Sequence, residues 1–201
     1  IGIDVDAFRA IAHSDEAAEQ IANLQRRTLV RTHIIGVDRL DYSKGLPDRL
    51  KGFRRLLERY PEIHKRVTLM QIAPPTRENV EAYSDIREEL EKLSGAINGE
   101  FADFDWTPVR YIHRAIPRDI LAALFCGSQI GFVTPLRDGM NLVAKEYVAA
   151  QRDDNPGVLV LSKFAGAAEE MEEALIVNPY DVDDMAENLG DTMTRKIQAR
   201  T

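Results

Sequence analysis

The chain is organised around residues 130–150, which read IGFVTPLRDGMNLVAKEYVAA. The apolar run IGFV predicts a buried strand, and the PLRDG that follows predicts a loop. Apolar residues then recur at helical spacing from Leu142 to Val148, which predicts a helix with one apolar side. A strand, a glycine-containing loop and a helix N-terminus together can bind an anion, because first-turn N–H groups lack partners within the helix. Here those groups belong to Asn141, Leu142 and Val143.

Two carboxylates flank this predicted anion site. Asp138 lies in the loop and Glu146 lies in the helix. Because like charges repel, carboxylates suit the hydroxyl groups of a sugar or ribose that carries a phosphate better than the phosphate itself. The alternative is that Asp138 only caps the helix and that Glu146 is solvated, and this stretch alone leaves both interpretations open.

The composition restricts the class of protein. The chain has 201 residues, of which 44% are hydrophobic, and its formal net charge is −7. An acidic balance argues against nonspecific nucleic-acid binding, and no apolar run approaches the ~20 residues of a membrane span. Cys126 is the single cysteine, so no intramolecular disulfide can form, and we expect a cytoplasmic protein. The first residue is Ile1 rather than methionine, and we expect a piece of a longer protein.

Buried strands and helical patterns alternate along the chain. We predict strands at 33–37, 67–73, 109–112, 130–133, 158–161 and 174–177. We predict helices at 14–27, 46–60, 78–94 and 117–125, from about 142, and from about 181. This alternation predicts a doubly wound, Rossmann-like α/β domain with a parallel sheet. We assign residues 1–30 to a connecting segment, covering 1–13, and a first helix, and residues 31–201 to the sheet domain. Ligands of such sheets bind beyond the carboxyl ends of the strands.

The loop after the first predicted strand contains Arg39 and Lys44. An arginine binds phosphate in a bidentate fork and a lysine acts as a mobile point charge, so the pair suits a phosphate group. Asp38 and Asp41 could instead neutralise the two cations within an ordinary solvated loop. Arg77 follows the second strand; it could also meet an anion, but from the residues alone we favour a helix cap or an ion pair with a nearby glutamate.

Several common site types are missing from the sequence. It contains neither G-x-G-x-x-G nor G-x-x-x-x-G-K-[ST], which disfavours dinucleotide oxidoreductases and P-loop NTPases. Asp-x-Asp pairs at 4/6, 103/105 and 181/183 do not directly follow convincing strands of the sheet, and an acidic chain forms such pairs by chance. The four histidines lack metal-ligand spacing. We therefore expect no metal site.

Two strings resemble signatures of the trehalose-6-phosphate synthase family. They are VDRLDYSKG at 37–45 and TPLRDGMNLVAKEY at 134–147, supported by QIAP at 71–74 and FAGAA at 164–168. The resemblance implies a retaining glycosyltransferase of the two-domain GT-B type. Such an enzyme transfers glucose from UDP-glucose, or another nucleoside-diphosphate glucose, to glucose 6-phosphate. The chain resembles only the C-terminal, donor-binding domain, so residues 1–201 alone are expected to be inactive. No cofactor is implied.

The resemblance also implies roles for individual residues. Arg39 and Lys44 would hold the donor diphosphate, Asp138 would bind hydroxyl groups of the transferred glucose, and Glu146 would bind the ribose. Charge on the leaving diphosphate would then be stabilised without a metal by Arg39, Lys44 and the helix N-terminus. In the family's proposed mechanism the acceptor attacks from the face that the leaving group vacates.

The remaining implied positions contact the rest of the substrates. Arg77 would reach the phosphate of the acceptor, in contrast to the interpretation from the residues alone. The other donor-binding positions are Ile116, whose backbone would lie against the nucleobase, Gly139, Met140, Asn141, Leu142, Val143, Ala144 and Lys145.

Two other functions stay open at this point. One is a noncatalytic regulatory subunit with the same fold, and the other is a relative that uses another acceptor, such as glycerol 3-phosphate or a cyclitol phosphate. Homo-oligomer formation by the full-length protein is also left open. The nucleotide sugar and the sugar phosphate are the only partners that we expect, with no nucleic acid and no membrane.

Overall fold

The protein folds into a parallel sheet with helices on both faces. The structure is a computed structural model, and it describes residues 2–28, 32–75 and 81–198. The strands are β1 (Thr32–Val37), β2 (Val67–Ile72), β3 (Val109–Ile112), β4 (Ile130–Val133), β5 (Val158–Ser162) and β6 (Leu175–Val177). The helices are α1 (Val5–Ala12), α2 (Asp15–Thr28), α3 (Leu46–Arg59), α4 (Glu81–Phe101), α5 (Arg118–Gly127), α6 (Leu142–Ala150) and α7 (Val182–Gln198).

The strand order explains where a ligand can bind. The six strands lie in the order β3-β2-β1-β4-β5-β6, and every pair of neighbours is parallel. The chain moves outward in one direction from β1 and in the other from β4. The loops after β1 and β4 therefore diverge and leave a crevice between them at the carboxyl edge of the sheet. This confirms the predicted doubly wound α/β fold.

The core lies in two layers, one on each face of the sheet. Helices α3, α4 and α7 cover one face, where Phe53, Leu90 and Met185 are buried. Helices α1, α5 and α6 cover the other, where Phe8 and Phe125 have ring centroids 6.4 Å apart. Because helices cover both faces of the sheet, β1 and β2 are buried at every position, including the polar residues Thr32, His33, Thr68 and Gln71.

The prediction of a connecting segment at 1–13 is wrong. Residues Val5–Ala12 form α1, and the Asp4 carboxylate caps this helix by accepting a hydrogen bond of 2.9 Å from the Ala7 N–H. An acidic residue before a helix commonly serves as its N-cap, which is the role of Asp4 here. The apolar side of α1 buries Phe8 and Ala12 against α5 and α6. The division of the chain into domains at residue 30 stays a prediction.

The predicted end of α4 near residue 94 is also wrong. Gly95 and Gly99 lie beyond the predicted end, yet the helix continues through both to Phe101. Both glycines lie on the exposed side, while Ile97 on the other side is fully buried. The Asn98 side chain also binds the N–H and the C=O of Val109 at 2.9 Å each. This tertiary anchoring outweighs the ~1 kcal/mol cost of each helical glycine.

Candidate functional site

A cavity of about 240 Å³ opens at the crevice between β1 and β4. Its walls come from the loop after β1 and from the loop that leads into α6. The two loops are joined directly, because the N–H groups of Leu136 and Arg137 donate to the Ser43 carbonyl oxygen at 2.8 and 3.1 Å. The lining residues are Asp38, Lys44, Asp138, Met140, Asn141, Leu142 and Val143.

Lys44 is held by a tight turn in the first loop. The Asp41 carboxylate begins this turn by accepting hydrogen bonds from the N–H and the hydroxyl of Ser43, at 2.8 and 2.7 Å. Gly45 ends it with φ 61°, and a Cβ at this position would lie 2.8 Å from the Thr134 carbonyl oxygen. Glycine is required here both for the left-handed backbone and for the close approach of the β4 loop.

Lys44 and Asp138 form the central charged pair of the cavity. Lys44 Nζ lies 2.7 Å from Asp138 Oδ2, and the two side chains are only 15% and 17% exposed. The Asp138 carboxylate also accepts hydrogen bonds from the Gly139 N–H at 2.9 Å and from Asn141 Nδ2 at 2.7 Å. Three donors thus fix the orientation of the Asp138 carboxylate. A cation and a carboxylate therefore lie side by side near the N-terminus of α6.

Asn141, and not Asp138, caps α6. Asn141 has φ 47°, and its side-chain oxygen accepts a hydrogen bond of 2.9 Å from the Ala144 N–H. The alternative that Asp138 only caps the helix is therefore wrong. The Ala144 N–H is already bound, whereas the N–H groups of Leu142 and Val143 belong to the first turn of the helix, where intrahelical partners are lacking.

Two predicted donor residues point elsewhere in this structure. The Arg39 side chain is 66% exposed and lies 3.9 Å from Asp41, and Arg39 is not among the residues that line the cavity. Lys145 Nζ pairs with Glu170 at 2.6 Å. Arg77 lies outside the described residues. Lys44 lines the cavity, whereas Arg39 and Lys145 do not.

Glu146 lies in α6, and Ile116 lies just before α5; neither is among the residues that line the cavity. Glu146 is half-buried, and this burial raises the pKa of its carboxyl, with a smaller opposing effect from Arg118. Glu146 is therefore only partly solvated. Ile116 is partly buried and lines a separate cavity with Ile112 and Leu124. The roles assigned to Glu146 and Ile116 stay predictions.

A buried arginine beneath the cavity was not predicted. Arg49 on α3 is fully buried, and one guanidinium nitrogen lies 2.7 Å from Asp38 Oδ2. Asp38 therefore pairs with Arg49 rather than with Arg39 as considered from the sequence. Burial raises the pKa of Asp38, and Arg49 opposes that shift. The sequence does contain an indication that Arg49 is buried. Arg49 follows Leu46 by three residues and precedes Phe53 by four, which puts it on the apolar side of the helix.

No group of three or more His, Cys, Asp and Glu residues that could hold a metal ion occurs in the described ranges 2–28, 32–75 and 81–198. The same part of the chain contains no helix long and apolar enough to cross a membrane.

Comparison with known proteins identifies close relatives. The family model described as glycosyltransferase family 20 matches residues 1–201. A trehalose-6-phosphate synthase of Klebsiella pneumoniae is 50% identical over 200 residues, which is 100% of this chain and 42% of the relative. One of Cronobacter sakazakii is 52% identical over 186 residues, 92% of this chain and 39% of the relative. The chain thus spans about two fifths of these relatives, 42% and 39%.

Solved structures give the same result. An α,α-trehalose-phosphate synthase (UDP-forming) from Burkholderia xenovorans, in complex with glucose-6-phosphate, has a TM-score of 0.92 and 54% identity. The match covers 96% of this chain and 42% of that one. A structure named as trehalose-6-phosphate from E. coli, bound with UDP-2-fluoro glucose, has a TM-score of 0.92 and 49% identity, covering 96% and 43%.

Proposed function

Because the chain belongs to glycosyltransferase family 20, we propose that the protein that carries it transfers glucose from UDP-glucose to glucose 6-phosphate. The product would be trehalose 6-phosphate, formed with retention at the transferred carbon. This chain supplies the domain that binds the nucleotide sugar. The observation that carries the proposal is the contact of 2.7 Å between Lys44 Nζ and Asp138 Oδ2 near the N-terminus of α6. It occurs in a chain that is 50% identical to a trehalose-6-phosphate synthase.

Lys44 is the residue that stabilises the leaving diphosphate. When the bond between glucose and the diphosphate breaks, negative charge grows on the phosphate oxygens and positive charge grows on the sugar ring. Lys44 has three donor protons, and its contact with Asp138 uses one of them. The others, together with the first-turn N–H groups of Leu142 and Val143, can face the phosphate. Arg39 reaches the same diphosphate from the loop after β1 by turning its exposed side chain inward.

Asp138 binds hydroxyl groups of the transferred glucose. A carboxylate fixed by Lys44 and Asn141 at Oδ2 and by the Gly139 N–H at Oδ1 keeps about one lone pair, on Oδ1, for a sugar hydroxyl donor. Its negative charge also lies near the sugar ring, where positive charge develops in the transition state. Glycosyl transfer by this site needs no metal, because the protein provides the cations for the diphosphate.

The other substrate contacts follow the family pattern. Glu146 binds the ribose hydroxyls, the backbone of Ile116 lies against the nucleobase, and Arg77 reaches the phosphate of the acceptor. Loop residues from Gly139 to Lys145 complete the donor site. The half-buried carboxyl of Glu146 supports its role, because ribose hydroxyls would then satisfy a group that water reaches poorly. Cytoplasmic location and inactivity of residues 1–201 alone remain parts of this proposal.

The two competing functions are less well supported. A noncatalytic regulatory subunit has no need of a preorganised lysine–carboxylate pair in its donor cavity. A relative that uses glycerol 3-phosphate or a cyclitol phosphate would keep the same donor domain. The similar structure in complex with glucose-6-phosphate favours that acceptor over both.

One experiment tests all three functions. The full-length protein is incubated with UDP-glucose and, separately, glucose 6-phosphate, glycerol 3-phosphate and a cyclitol phosphate, and UDP release and product are measured. We expect trehalose 6-phosphate with glucose 6-phosphate only. UDP release with another acceptor alone would change the acceptor assignment, and no turnover with UDP binding intact would support the regulatory subunit.

A further inference from the structure

We propose that Arg49 is a positioning residue with two effects. It fixes the relative positions of the loops after β1 and β4, which form the donor cavity, and we call this effect the register of the loops. It also neutralises the charge of Asp38 beneath the diphosphate. The inference rests on the proposed function and adds a residue that touches neither substrate. Arg49 acts through Asp38 and Thr134, which belong to the loops that carry Lys44 and Asp138.

The Arg49 guanidinium joins the carboxyl ends of three strands. Besides its 2.7 Å contact with Asp38 after β1, Nε donates to the Thr134 hydroxyl after β4 at 3.0 Å. A third nitrogen donates to the Gln71 side-chain oxygen in β2 at 3.2 Å. Gln71 in turn donates to the carbonyl oxygens of Gly36 and Ile72 at 3.2 Å each. A single planar, rigid group therefore sets the relative positions of β1, β2 and β4 where their loops begin.

A gain in stability does not by itself explain why Arg49 and Asp38 are buried together. Arg49 and Asp38 side chains are 0% and 3% exposed, and desolvating two such charges offsets most of their attraction. Replacing a buried ion pair by apolar groups of similar size is often neutral or stabilising. The guanidinium is also enclosed on the sheet side, since a Cβ at Gly36 would lie 2.7 Å from it. Because stability gives little reason for this enclosed ion pair, we attribute to it a role in the adjacent donor cavity.

Asp38 connects this network to the cavity. Asp38 lines the cavity together with Lys44 and Asp138. The charged groups that face it are Arg49 from α3, Lys44 from its own loop and Asp138 from the loop after β4. Without Arg49, the two carboxylates would share Lys44, the one cation among the residues that line the cavity, next to a doubly charged diphosphate. With Arg49 in place, Asp38 is compensated from below, and Lys44 stays available to the ligand.

The test separates charge from register by means of four variants of the full-length protein. These are Arg49→Met, Arg49→Lys, Asp38→Asn, and the double variant R49M/D38N. Gly190→Ala serves as a control for destabilisation alone, because its new Cβ would lie 2.5 Å from the Tyr60 ring, between α3 and α7. For each protein, UDP affinity is measured by calorimetry, stability by urea unfolding, and turnover with UDP-glucose and glucose 6-phosphate.

The charge part of the inference predicts a specific pattern of UDP affinities. Arg49→Met should weaken UDP binding at least about tenfold, because like charges brought together at a site cost several kcal/mol. The double variant should recover part of this loss, since the uncompensated carboxylate is gone while the guanidinium contacts with Thr134 and Gln71 are still missing. In Arg49→Met alone, UDP should bind more tightly as the pH falls and Asp38 takes up a proton. Equal weakening in the single and the double variant would overturn this part.

The register part predicts faster hydrogen exchange at two amides. The N–H groups of Leu136 and Arg137, which bind the Ser43 carbonyl oxygen, should exchange faster in Arg49→Met. They should also exchange faster in Arg49→Lys, which keeps the charge but loses the fork. Gly190→Ala should leave both the two amides and UDP binding unchanged. If exchange in Arg49→Lys equals that of the unmodified protein, the loops do not depend on the guanidinium.

These outcomes distinguish this inference from the proposed function. Normal turnover and UDP affinity in Arg49→Met would overturn the inference and leave the glucosyl transfer intact. Conversely, absence of transfer in the unmodified protein, with the expected UDP affinities across the variants, would refute the proposed reaction only. If Arg49→Met does not fold, Arg49→Lys and the double variant still decide between the two parts.

Discussion

Removal of the Lys44 charge is the most direct test of the proposed site. In Lys44→Ala the cavity loses the cation that lies 2.7 Å from Asp138. The carboxylate itself stays in place, because the Gly139 N–H and Asn141 Nδ2 still donate to it. The variant therefore removes a charge from the proposed diphosphate site without disordering the carboxylate that is proposed to bind the sugar.

The size of the effect follows from this geometry. Loss of one preorganised group that stabilises transition-state charge lowers turnover by ~10²–10³, or about 2.7–4 kcal/mol. The free energy of unfolding should fall by less, on the order of 1 kcal/mol, since Asp138 keeps two hydrogen bonds that compensate its charge. Turnover and stability should thus change by clearly different amounts.

Steady-state turnover with UDP-glucose and glucose 6-phosphate in the full-length protein measures the first quantity, and urea unfolding measures the second. Lys51→Ala is the matched control, because Lys51 forms an exposed ion pair of 3.3 Å with Glu89 on the same helical layer. This control should leave turnover unchanged. If Lys44→Ala turns over at a near-normal rate while the protein stays folded, Lys44 does not stabilise the leaving group.

Three further predictions concern the donor site and the fold. Glu146→Gln should weaken UDP and UDP-glucose binding alike, whereas Asp138→Asn should weaken UDP-glucose far more than UDP; calorimetry that finds equal effects in all four combinations would refute the two roles. Because burial raises the pKa of Glu146, the folded state holds this proton more tightly than the unfolded state. The Glu146 contribution to stability is therefore largest below its ordinary pKa and is lost as the pH rises through the raised one. Urea unfolding across pH should show that Glu146→Gln removes this loss and is more stable at pH 7. Gly95→Ala and Gly99→Ala should each add up to ~1 kcal/mol, about 2–4 °C in melting temperature, because a Cβ at either position meets no atom within 4 Å; a lower melting temperature would contradict the continuous α4.

The order of strands and helices was predictable because local patterns of apolar residues determine it. Apolar runs of strand length alternate with helical periodicity, so the doubly wound class followed without knowledge of any contact. The errors occurred where a residue serves a local or tertiary role that its type does not reveal. Asp4 was interpreted as part of a linker, although it caps α1. The predicted helix ends at 94, just before Gly95 and Gly99, although burial of Ile97 and the Asn98 contacts hold α4 together past both glycines.

The same distinction applies to the candidate site. The sequence by itself determined that Lys44 and Asp138 would lie at one edge of the sheet, because parallel strands bring their carboxyl-end loops together. Only the tertiary structure decided how these residues pair. It assigned the α6 cap to Asn141, put Lys44 on Asp138, and buried Arg49 against Asp38. Periodicity records which side of an element is apolar, but a buried charge is stable only when partners distant in sequence compensate it, and those partners are known only once the chain has folded.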